Sequence, residues 1–143
     1  MHPYIHAKKN PNKPALIMAS SGEITTYKEL DERSNQIAHL FRQKGLKIGD
    51  GISIFMENNS RFLEICWAAQ RSGLYFTPIS SKLTAAEVKY IHDDCNSQFL
   101  ISSKYLKNVA NETFQLTKKT KHHYICLLYT SPSPRDQRGS GVA

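Results

Sequence analysis

The chain has 143 residues, a formal net charge of +7, 40% hydrophobic and 22% charged residues, proportions that fit one ordinary globular domain. No stretch approaches the roughly 18 consecutive apolar residues of a membrane helix. Met1 to Lys9 has no apolar core behind basic residues, so neither an integral membrane segment nor a secretion signal is expected.

The positive charge is unevenly placed. Residues 1–116 hold 14 Lys and Arg against 11 Asp and Glu, a net of +3. Residues 117–143 hold five basic residues, Lys118, Lys119, Lys121, Arg135 and Arg138, against Asp136 alone. A nucleic-acid footprint needs a basic face on the folded part, and none is expected here. Cys66, Cys95 and Cys126 are scattered and odd in number, which points to a reducing compartment and a cytoplasmic location.

Three prolines, Pro3, Pro11 and Pro14, flank a short Tyr4 to Asn10 segment of one or two helical turns. Ala15 to Met18 and Ile24-Thr25, joined by the turn residues Ser20-Ser-Gly-Glu23, predict a hairpin. Thr26 and Glu29 then stand at capping-box spacing. Leu30, Ser34, Ile37, Ala38 and Phe41 form the inward stripe of the helix that follows, with Glu32, Arg33, Gln36 and Gln43 expected to face water. Gly45 supplies its left-handed end.

Gly49-Asp50-Gly51 turns into Ile52 to Met56, a short buried strand. Asn59 or Ser60 caps a helix to about Ser72, whose periodicity is traced by Phe62, Leu63, Cys66, Trp67, Ala69 and Gln70, and Gly73 ends it. Leu74 to Ile79 is a strand whose Pro78 marks a strand end or a sheet edge. Thr84 and Glu87 form a second capping box, opening a helix through Val88 and Ile91 to about Asp94. Phe99 to Ile101 is a third strand. From Lys104 the pattern fades. Strands alternating with helices at this spacing predict an α/β fold of βαβ units with a mostly parallel sheet.

No reactive constellation emerges. There is no Gly-x-Gly-x-x-Gly after a strand and no P-loop. Gly49-Asp50-Gly51 precedes a strand rather than a helix, so it is read as a turn. His92-Asp93-Asp94-Cys95 cannot converge on one ion while the backbone stays helical, and is read as a solvated helix end. His122-His123 with Cys126 lacks a second ligand pair. No serine sits in a nucleophile elbow. Phe62, Trp67 and Tyr75 are read as core aromatics rather than a ligand platform. No catalytic, cofactor-binding or metal-binding residue is assigned.

Taken together, Leu16-Ile17, Ile24 to Ala38 and Lys44-Gly-Leu-Lys-Ile-Gly-Asp50 closely resemble the opening of the adenylate-forming (AMP-binding) superfamily. Thr26-Tyr-Lys-Glu-Leu30 looks like its first core motif, and Ala68 to Ile79 like its second. Leu83 to Ile91 matches the capped helix that usually follows. The resemblance spans roughly residues 3–105 and is most similar to acyl-CoA synthetases. It implies a parent enzyme that joins a carboxylic acid to AMP from ATP, with magnesium, and then passes the acyl group to coenzyme A. The family's phosphate loop, its Tyr-Gly-x-Thr-Glu motif, the ribose-binding aspartate and the C-terminal lysine have no counterpart here, so an inactive N-terminal fragment is expected.

Cys126-Leu-Leu-Tyr-Thr-Ser-Pro-Ser-Pro-Arg-Asp136 resembles the translation of a transposase-type sequencing-library adapter. The expected organisation is therefore a partial N-terminal subdomain over residues 1–116 and a disordered tail over 117–143, non-native from 126. The rival expectations are a small non-enzymatic interaction module, the adenylation domain of a peptide synthetase, and a basic RNA- or membrane-binding protein using Lys118 to Arg138.

Overall fold

A computed structural model describes residues 3–117 and 123–127. The chain divides into two compact units, one built from Met1–Ile48 and Asn58–Gly73, the other from Gly49–Glu57 and the chain from Leu74 onward.

The first unit contains α1 (Pro3–Lys9), the antiparallel hairpin of β1 (Pro14–Ile17) and β2 (Ile24–Thr26), α2 (Tyr27–Gln43) and α3 (Arg61–Arg71). At the start of α2 the Thr26 side chain accepts from the Glu29 N–H and the Glu29 carboxylate accepts from the Thr26 N–H. Both bonds satisfy donors that a helix start otherwise leaves open. The residues α2 buries are Leu30, Ser34, Ile37, Ala38 and Phe41, the stripe read from the sequence. Its far end closes on Gly45 at φ +85°. There Gly45 N–H donates to Arg42 O and Leu46 N–H to Phe41 O, the paired bonds of a Schellman motif.

Two expectations for this unit are corrected. Arg33 does not simply face water: its side chain is 33% exposed and reaches buried Glu64 on α3. The inward face of α3 is Glu64, Ile65, Ala68 and Ala69, while Phe62, Leu63, Cys66 and Trp67 are only half-buried. Between Phe62 and Ala69 every residue except Glu64 is apolar, so hydrophobicity alone does not fix the helix's rotational phase. Small Ala68 and Ala69 face inward because α2 and α3 pack against each other, and close helix approach favours short side chains at the contact.

The second unit is a four-stranded, wholly parallel sheet in the order β4 (Tyr75–Ile79), β3 (Gly51–Phe55), β5 (Ser97–Ser103), β6 (His123–Leu127). The α/β class and parallel pairing expected from the sequence are present. Helices α4 (Ala85–Asp94) and α5 (Lys107–Leu116) pack together, and both contact β5. Phe55, Ile79, Val88, Leu100, Leu106 and Ala110 form the buried cluster between them and the sheet. Alternation sends Ile52 and Ile54 to the opposite side of β3, where they are also buried.

Three further differences from the sequence reading appear here. Tyr75 is not a core aromatic but 74% exposed, because β4 is the edge strand of this sheet. A 3₁₀ turn at Lys104–Leu106 and helix α5 occupy a stretch where the apolar pattern fades. Helix α5 buries only Ala110 and Thr113, too small and too polar to register as an amphipathic stripe. Strand β6 continues the sheet inside the stretch expected as a tail; residues 118–122 and 128–143 of that stretch lie outside the described residues.

Candidate functional site

In an open parallel sheet, ligands are received outside the carboxyl ends of the strands, where the strand order reverses. Here the chain runs from β3 outward to β4 and then back past β3 to β5, so the reversal lies between β3 and β5. The residues at those two strand ends are Glu57 and Ser103, and the Ser103 hydroxyl donates to the Glu57 carboxylate. Ser102 beside them is fully buried. A carboxylate bonded to a hydroxyl ties the two strand ends together. It offers hydrogen-bond acceptors at that end of the sheet.

On the side of the sheet that α4 covers, Ser53 and His92 meet with Oγ and Nδ1 2.9 Å apart. This corrects the reading of His92 as part of a solvated helix end, since it is 1% exposed. A hydroxyl next to an imidazole is the start of a nucleophile–base pair, but Ser53 is itself fully buried. Sealed from substrate, the pair is a core hydrogen bond. The neighbouring residues point elsewhere: Asp94 and Cys95 are exposed, while Asp93 bonds Lys89 at 2.8 Å and Thr117 at 2.5 Å. Burial alone would raise the Asp93 carboxyl, but the hydrogen bonds from Lys89 and Thr117 and the Lys89 and His92 charges outweigh it and hold it below the usual range.

In the first unit the concentration of charge is at Glu64. Its fully buried carboxylate takes Arg33 Nη1 at 3.2 Å and Arg61 Nη1 at 3.2 Å, while Arg33 Nη2 also bonds Glu29 at 3.1 Å. A second α2–α3 tie joins Arg71 to Asp31 at 2.6 Å. These pairs clamp the helices, and sequence reasoning missed them. One signal was present, an acidic residue between Leu63 and Ile65 on an otherwise apolar helix, three residues after Arg61. The Arg33 and Asp31 partners lie too far along the chain to be inferred from spacing.

The remaining sequence candidates resolve as structure. Gly49-Asp50-Gly51 is a turn at the amino ends of the strands, where Asp50 O accepts from Tyr75 N–H and Asp50 Oδ1 from Gln98 Nε2. Of His122, His123 and Cys126, the first lies outside the described residues and the other two belong to β6. Cys66 has its thiol pushed up to about 11 by burial, which makes it a poor nucleophile at neutral pH. Among the described residues no three His, Cys, Asp or Glu side chains are grouped to hold a metal ion. The first turns of α2, α3 and α4 have backbone N–H groups engaged by Thr26, Asn59 and Thr84 of this chain. These bonds are made within the chain and assign no residue to magnesium or a nucleotide phosphate.

A sequence profile of the AMP-binding enzyme family matches residues 4–141. The chain belongs to the AMP-binding enzyme family. It is 33% identical over 95 residues to the fatty acid–acyl-carrier-protein ligase ScoC of Streptomyces coeruleorubidus, covering 66% of this chain and 18% of that protein. It is 31% identical over 102 residues to a 3-oxocholest-4-en-26-oate–CoA ligase of Rhodococcus rhodochrous, covering 71% and 18%. It is 33% identical over 102 residues to tyrocidine synthase 3 of Brevibacillus parabrevis, covering 71% and 2%. In three dimensions it superposes on a Mycobacterium tuberculosis fatty acyl CoA synthetase with a TM-score of 0.76 at 20% identity, covering 97% of this chain and 28% of that one. At that identity the superposition speaks for the fold alone. The match to this AMP-binding family extends past the point where the apolar pattern fades, and the chain spans less than a fifth of the length of ScoC.

Proposed function

We propose that this chain forms the opening scaffold of an AMP-forming ligase that activates a carboxylic acid, in the fatty acyl-CoA synthetase branch, and that the 143 residues alone adenylate nothing. The family match across residues 4–141 carries the first half of this reading. The second half rests on the described side chains. Glu29 and Glu87 close capping boxes, Glu64 and Asp31 join α2 to α3, and Glu57 accepts from Ser103 between two strand ends. ATP, magnesium and coenzyme A belong to the parent reaction, where the metal would neutralise phosphate charge as the carboxylate attacks. A carboxylic acid is the proposed substrate, and a reducing, cytoplasmic compartment suits the free thiols of Cys66 and Cys95.

Residues 1–116 are proposed as the native part and residues 126–143 as adapter-derived. Sequencing the source locus from adapter-free DNA across the codons for Tyr124 to Cys126 tests this. A frame that continues into a Gly/Ser/Thr-rich phosphate loop supports the proposal, and a frame that ends at Ala143 overturns it.

The likeness to tyrocidine synthase 3 favours a second reading, the adenylation domain of a peptide synthetase. Expression of the continuous frame separates the two. ATP-dependent formation of an acyl-CoA from fatty acids supports the ligase. Pyrophosphate exchange that depends on an amino acid and ignores fatty acids supports the second.

A further inference from the structure

We draw no further inference here: the strongest candidate, the exposed aromatics Tyr75 and Phe76 on opposite faces of edge strand β4, is apolar surface, and nothing in the structure shows what covers it.

Discussion

At Glu64, burial and two guanidinium groups pull in opposite directions. Burial is the larger influence and raises the carboxyl pKa, while Arg61 and Arg33 oppose it. A carboxyl whose native pKa lies above its unfolded value binds more protons in the folded state. Stability therefore falls as pH rises from the unfolded value, about 4.3, through the native one. Glu64→Gln removes that slope, so the variant is expected to gain on the parent sequence in urea midpoint as pH rises above about 4. A difference that stays flat or runs the other way contradicts the assignment. Glu64→Ala instead leaves Arg33 and Arg61 facing a cavity and is expected to cost about 2–4 kcal/mol, less than a fully buried pair because Arg33 is partly solvated. Asp93 has the opposite sign. Its pKa is lowered, so its contribution is present above the unfolded value and disappears as pH falls through the native one. Asp93→Asn is expected to destabilise at pH 7 and to converge on the parent as pH falls below about 4, read by thermal melts across that range. The Glu64 network was not legible residue by residue, because ion pairs between helices depend on rotational phase, and the apolar circumference of α3 concealed it; the Lys89–Asp93 pair lies within α4 at i,i+4 spacing.

Elements were legible where local chemistry alone decides them. Thr26 with Glu29 and Thr84 with Glu87 form complete capping boxes, and both were readable because the interaction closes within four residues. Thr26→Ala and Thr84→Ala are each expected to cost about 1 kcal/mol, and a shift of a few tenths or less in chemical denaturation contradicts the caps. Helix α5 was not legible, since its position is fixed by packing on α4 and β5 rather than by a stripe of its own. The edge β4 was half legible through Pro78. Because Tyr75 N–H points to β3 by donating to Asp50 O, alternation sends the backbones of Phe76 and Pro78 to the outer side. Pro78 brings no donor there, so the edge is a poor template for another strand. Pro78→Val restores the donor and is expected to raise concentration-dependent association, measured by light scattering. Unchanged association would mean that this edge is protected by something other than the missing N–H.

At the scale of the whole molecule, fold and family were legible because they rest on the order of turns, caps and strands. That order survives at 33% identity to ScoC over 95 residues. Chemistry was not legible, since several side chains with catalytic character hold elements together. Ser53 and His92 are sealed inside the sheet unit, and Glu57 and Ser103 join two strand ends. We propose that this chain supplies scaffold and no adenylation. The most direct test is ATP–pyrophosphate exchange by the purified chain, with magnesium and a panel of fatty and amino acids. No acid-dependent exchange above a protein-free blank is the expected result. Exchange that appears with one acid and scales with chain concentration would contradict the claim and place an adenylating site within these residues.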